Sequence, residues 1–374
     1  MPVILSQRGG GGKGRASHET IARRRARHEG MSQNLPDPIE VIAPNLKRRL
    51  SGVTATIVRL VPVQARMIGI VTTGPGLPAD LPHVPVWRLR FLPRRLRVWH
   101  ARRNTEMLLG LALRASGMPL KLLFTSASQR RHTGYTKWLI SRMDAVVSTS
   151  AKTASYLDRP STVIHHGIDT QTFTPPGDRA ELRARLGLPG GLLVGCYGRI
   201  RAQKGTDAFV DAMIRLLRTR PGVTALVMGR ATEGQGAFLD GLKAKVKAEG
   251  LEDRILFPPE VPVDRMADWY RVLDLYVAPQ RWEGFGLTPI EAMACGVPVV
   301  ATRVGAFEEI VTPRAGALVD PGDVPALAAA CAPFLDNPAR LEEASVAARA
   351  HVETHFRIED EAAALVRIYR GLLG

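Results

Sequence analysis

Short apolar runs alternate with amphipathic ones along most of the chain. "IEVIAP" (39–44) is followed by "KLLFTSA" (121–127), "AVVSTSA" (145–151) and "STVIHHG" (161–167). "LLVGCYGRI" (192–200), "TALVMG" (224–229), "RILFPPE" (254–260), "DLYVAPQ" (274–280) and "VPVVAT" (297–302) come after them. These runs are rich in Val, Ile, Leu and Phe, and several end in small residues, as strands do. Between them lie segments of helical period such as "TDAFVDAMIRLLRTR" (206–220). Repeated strand–helix alternation predicts parallel sheets of doubly wound type. The alternation pauses at residues 172–191, where Pro175, Pro176, Pro189, Gly190 and Gly191 bracket a short charged helix. We read this segment as a linker between two α/β domains, residues 39–171 and 192–355. The last helix, within 356–374, carries Ala364, Leu365, Ile368, Tyr369 and Leu372 on one face. That face needs a surface to cover, and the N-terminal domain is the expected one.

Length and composition agree with this outline. A chain of 374 residues, 45% hydrophobic, suits two globular domains. Residues 1–38 form a leader rich in glycine and arginine, with no apolar period over its first thirty residues, which reads as disorder. Met31 is an equally good starting residue, since the first strand-like run follows soon after it. Three cysteines, Cys196, Cys295 and Cys331, form no CxxC pair, so zinc ribbons and redox dithiols are not expected and a reducing cytosol is. No stretch of about 18 uncharged apolar residues exists, and no apolar signal core. A net charge of +16 calls for an anionic partner: nucleic acid, anionic lipid or a phosphorylated substrate.

Ligands of open α/β sheets bind at the carboxyl ends of strands. Two such ends carry unusual chemistry. In "YGRIRAQKG" (197–205) a strand ends at Gly198, Arg199 follows, and Lys204 precedes a helix. Two cations beside a helix N-terminus suit a diphosphate. In "RWEGFGLTPIEAMACGVPVVAT" (281–302) Glu283 and Glu291 flank Gly284, Phe285 and Gly286. Thr288, Pro289 and Glu291 have the form of a capping box, with Thr288 as cap and Glu291 reaching back. That leaves Glu283 and the glycines for a sugar phosphate: amides toward phosphate, a carboxylate toward sugar hydroxyls.

The second motif resembles the E-x7-E signature of retaining glycosyltransferases of family four, which have the GT-B fold. "GRIRAQKG", "IHHGIDTQTF" and "RIYRGLL" match other landmarks of that family in order, so the resemblance covers residues 39–374. The N-terminal stretches "IEVIAPNLKRRLSGVTATIVRLVP", "VWHARRNTEM" and "LKLLFTSASQRRHTGYTKWLI" resemble lipopolysaccharide-core mannosyltransferases, which transfer mannose from GDP-mannose to a Kdo residue. The resemblance implies two Rossmann-like domains facing across a cleft. It implies that Arg199 and Lys204 bind the donor diphosphate and that Glu283 binds the donor sugar. Gly198, Gly284, Phe285, Gly286, Leu287 and Thr288 would line the donor, Glu291 would hold the ribose, and Gly52 would approach the diphosphate. The family mechanism is front-face transfer, with the leaving phosphate taking the acceptor proton. Many members carry a histidine after the strand that here reads "LLFTSAS". This chain has Thr125 and Ser126 there, so His100, His132 and His166 are the remaining histidine candidates.

No Asp-x-Asp triplet occurs, and Arg199 and Lys204 can neutralise the leaving group, so no metal and no other cofactor is expected. UDP-glucose or UDP-galactose would fit the motifs as well as GDP-mannose, and "FPPEVP" (257–262) is the expected edge of the base pocket. "WRLRFLPRRLRVWHARRN" (87–104) interleaves arginines with Trp87, Phe91, Leu92, Leu96 and Trp99 and has no acidic residue. This pattern suits an anionic membrane interface, here the cytoplasmic face of the inner membrane. His100, Arg102, Arg103, Arg130, Arg131, His132 and Lys137 are the candidates for a lipid A–Kdo acceptor, whose carboxylate and phosphates arginines match. A nucleic-acid-binding protein would also be basic, but no binding module or stacking face is found.

Overall fold

The computed structural model describes residues 35–48 and 52–374; the basic leader and Met31 lie outside them. Among the described residues, strands β1 (Val41–Pro44), β2 (Ile70–Thr73), β3 (Arg97–Ala101), β4 (Leu120–Ser126), β5 (Ala145–Ser148) and β6 (Thr162–Val163) form one sheet. A second sheet contains β7 (Leu192–Tyr197), β8 (Val223–Met228), β9 (Ile255–Leu256), β10 (Leu275–Ala278), β11 (Val299–Thr302) and β12 (Gly316–Val319). Every pairing is parallel. The orders are β2-β1-β3-β4-β5-β6 and β12-β11-β10-β7-β8-β9. The second is the Rossmann order, and its direction reverses between β7 and β10.

Strands covered by helices on both faces read as unbroken apolar runs, which is why β7, β10 and β11 stand out in the sequence. Their side chains are almost wholly buried. β2 and β12 are short and were not among the expected strands. The run 161–167 pairs only over two residues, and its histidines lie against Phe285 of the other half.

The stretch 87–104 divides, which corrects its reading as one basic surface. Val86–Phe91 is an exposed turn, but Arg97–Ala101 is a strand between β1 and β4. Arg97 is 2% exposed, Trp99 and His100 not at all. The polar atoms survive burial because each has a fixed partner. The Arg97 guanidinium donates to Ile39 O (3.0 Å) and Arg95 O (3.1 Å), and Trp99 Nε1 to Glu106 O (2.8 Å).

The chain crosses between the halves twice, and the crossings pair: Ile168 N donates to Phe356 O (2.7 Å) and Ile358 N to Ile168 O (3.0 Å). The helix Ile358–Leu373 then lies on the first half. Ile358, Ala362, Leu365, Val366 and Tyr369 pack with Val41, Ile57, Leu60 and Val61. No described helix is long and apolar enough to cross a membrane.

Candidate active site

β7 and β10 are neighbours, yet the chain leaves them in opposite directions along the sheet. This opens a crevice at their carboxyl ends, the usual ligand position in such sheets. Both sequence motifs fall there. After β7 come Gly198, Arg199 and a turn of 3-10 helix, Ala202–Lys204. After β10 the chain runs through Gln280 to Glu283. Lys204 Nζ and Glu283 Oε2 form a close ion pair, and Gly284 N donates to Glu283 Oε1 (3.0 Å). Arg199 is exposed and has no hydrogen-bond or ion-pair partner among the described residues. One cation is therefore held by a carboxylate while the other stands uncompensated beside it.

The helix Leu287–Ala294 begins directly after this loop. Its N-cap is Gly286, at φ 91°, a conformation L side chains rarely adopt. A Cβ at Gly286 would also meet the Phe307 ring at 2.2 Å. The capping box expected from Thr288 to Glu291 does not form, because the helix starts one residue before Thr288. Glu291 Oε2 accepts from Tyr270 OH (2.8 Å), and Arg59 Nη1 lies 3.9 Å from Oε1. Burial raises the Glu291 carboxyl above its ordinary value, against the pull of Arg59 and Tyr270. Tyr197, Tyr270 and Tyr276 form a floor of tilted rings 5.3–5.9 Å apart, and burial holds all three hydroxyls protonated.

The first half reaches the same loop. Gln129 Nε2 donates to Gly284 O (2.7 Å). His165 and His166 place their rings 6.1 and 5.0 Å from Phe285. His166 Nδ1 bonds Glu361 Oε1 (2.8 Å) on the last helix. Gly52 opens the helix Gly52–Gln64 and is uncrowded.

A family model for "Glycosyl transferases group 1" matches residues 178–351. A lipopolysaccharide core biosynthesis mannosyltransferase of Rhizobium meliloti is 55% identical over 347 residues, covering 90% of this chain and 98% of the relative. One of Rhizobium leguminosarum bv. viciae is 54% identical, covering 91% and 99%. The chain belongs to the group 1 glycosyl transferases. Its fold agrees: an Anabaena protein solved in complex with UDP superposes with a TM-score of 0.78 at 19% identity, over 89% of this chain and all of that one. The enzyme is thus a glycosyltransferase of GT-B architecture.

In this glycosyltransferase the expected acceptor residues separate. The His100 ring is enclosed, with Nδ1 2.7 Å from Tyr369 OH and Nε2 2.6 Å from Thr125 Oγ1. Burial, reinforced by Arg102, drives its pKa well below the ordinary 6.5, so the ring is neutral. Arg103 is bound by Glu106 (2.5 Å), Asn45 (3.0 Å) and Thr54 (3.0 Å), just past the carboxyl end of β3. Arg102 donates to His100 O (3.2 Å) and is half-buried. Lys137 pairs with Asp158 (2.7 Å) on the outer flank, beside a small cavity that His132 also lines. His132 Nε2 is buried without a partner, and burial lowers its pKa, with Arg130 adding to the effect. Arg130 and Arg131 are exposed. Arg59, Gln129, Tyr270, His165 and Glu309 were not found from the sequence. Each acts across long chain separations, and only the "HHG" doublet offered a signal.

Proposed function

We propose that the enzyme transfers mannose from GDP-mannose to a Kdo residue of the lipopolysaccharide inner core, with retention and without a metal or other cofactor. The observation that carries the reading is the Lys204–Glu283 pair at the switch point, with unpartnered Arg199 beside it. The names of the two near-full-length relatives support the sugar and the lipopolysaccharide acceptor. Breaking the sugar–phosphate bond leaves extra negative charge on GDP, and Arg199 and Lys204 neutralise it. Entry of the diphosphate draws Lys204 from Glu283. The freed carboxylate then accepts hydrogen bonds from donor-sugar hydroxyls. Amides of residues 284–288, at a helix N-terminus, take the phosphate, and Glu291 takes the ribose. The leaving phosphate oxygen accepts the proton of the attacking hydroxyl as the new bond forms, so no protein nucleophile is needed.

The first half would meet the lipid acceptor. Trp87 and Phe91 are 62% and 65% exposed, with the Arg88 and Arg90 guanidiniums 4.9 and 4.5 Å from their rings. Arg94, Arg95 and Leu96 are exposed beside them in sequence. Apolar rings framed by arginine suit the headgroup region of an anionic bilayer, here the cytoplasmic face of the inner membrane. The test is transfer to Kdo-bearing lipid A in EDTA, with GDP-mannose, UDP-glucose and UDP-galactose offered separately. Transfer from GDP-mannose alone supports the reading. Transfer from a UDP-sugar keeps the site and discards mannose, and transfer only when metal is restored discards metal independence.

A further inference from the structure

The helix Phe307–Ile310 does two things at once. Its lead-in supports the loop 283–286 from below. A Cβ at Gly305 would lie 3.1 Å from Glu283 Cβ and 3.4 Å from Phe285 O, and the Phe307 ring packs under Gly286. Its next two side chains leave the C-terminal half. Glu309 Oε2 accepts from Ala151 N (2.9 Å) and meets His165 Nε2 (2.8 Å), while Oε1 accepts from Lys152 N (3.2 Å). Glu308 Oε2 lies 3.4 Å from Lys152 Nζ. Ala151 and Lys152 open a helix just past β5, and His165 lies just past β6. One carboxylate therefore gathers two strand ends of the first half. The His165 ring it holds stands 5.5 Å from Phe356, on the second crossing, as well as against Phe285.

We propose that Glu309 is a positioning residue for transfer, a clasp that sets the acceptor-bearing half in register over the loop that holds the donor sugar. This rests on the donor-site reading above. The clasp makes no contact with the cation pair of the crevice, so it governs how the halves meet rather than how the nucleotide binds. Hydrogen bonds to a charged acceptor are stronger than neutral ones, and three converge here. Both GT-B halves must present their substrates within bonding distance, and a small misalignment costs far more in rate than in binding.

The experiment compares the wild-type enzyme with Glu309→Ala and Glu309→Asp. The three native cysteines are buried, so spin labels can be placed at Ser116→Cys and Glu252→Cys, one exposed position on each half. Without nucleotide, Glu309→Ala should broaden the distance distribution between the labels. Its GDP Kd should stay within about twofold of wild type, its kcat should fall at least about tenfold, and Glu309→Asp should recover part of that loss. An unchanged distance distribution overturns the proposal. So does a kcat loss matched by an equal loss of GDP affinity, because a general structural role would lower both. If the distances broaden but the wild-type enzyme binds no GDP, the clasp stands and the donor reading fails.

Discussion

The two halves share an architecture and differ in what they bury. In the C-terminal sheet the strands beside the crevice, β7, β10 and β11, are apolar almost throughout. The N-terminal sheet buries Arg97, His100, Ser126 and Ser148 within its strands, and Glu106 just behind them. The surfaces differ as well. Of the eleven large apolar side chains exposed among the described residues, eight precede residue 164 and three follow residue 262, so the first half is the one with apolar surface to cover. A nucleotide is a small, fixed ligand, and a stiff crevice with two cations serves it. On the proposed reading the acceptor is a lipid-linked sugar, large and amphipathic, and a half with a polar interior and an apolar, arginine-framed exterior would serve it.

The sharpest way to break this division is at the crevice. Lys204→Ala should lower kcat/KM at least about 100-fold, the usual loss when one group stabilising developing charge is removed, and Glu283→Gln should lower it as well by weakening the charge-assisted grip on the donor sugar. Steady-state kinetics with saturating acceptor checks this. A smaller effect belongs to the outside of the first half. Trp87→Ser with Phe91→Ser should weaken binding to anionic vesicles about tenfold, since each exposed ring supplies part of its burial energy, while GDP affinity stays unchanged. Co-sedimentation and calorimetry measure the two. Gln129→Ala removes one hydrogen bond across the cleft, worth about 1 kcal/mol, and should cost about fivefold in kcat with little change in GDP Kd.

The smallest effect is on stability, and it also separates the halves. His100 stays neutral in the fold, its pKa well below 6.5, while the unfolded chain gains a proton as pH falls through 6.5. Stability therefore drops as the pH is lowered below about 6.5, by under about 1 kcal/mol for this residue between pH 7 and 6. His83 and His132, also lowered by burial, act in the same direction in the same half. In the C-terminal half burial likewise lowers His351. Hydrogen exchange at pH 6 should therefore rise first around β3 and β4.

Much of the second half was legible in the chain itself. Fully buried parallel strands print as apolar runs, and Arg199, Lys204 and Glu283 sit at the strand ends that the alternation marks. β3 was hidden because Arg97 and His100 interrupt its apolar pattern, and they tolerate burial only through partners such as Ile39 O and Tyr369 OH. The capping box failed for a local reason, as Gly286 takes the cap and the helix starts two residues earlier than a Thr288 cap would place it. Glu309 was invisible for a distant one: its partners lie more than 140 residues earlier, and no periodicity reports such a contact.

The division of labour itself is tested most directly by a crossed measurement. GDP Kd and the KM for Kdo-lipid A in anionic vesicles are determined for Lys204→Ala and for Arg88→Ala with Arg90→Ala. The account predicts that Lys204→Ala raises the GDP Kd and leaves the acceptor KM unchanged, whereas the double arginine variant raises the acceptor KM and leaves the GDP Kd unchanged. Equal losses of both affinities in either protein would contradict it.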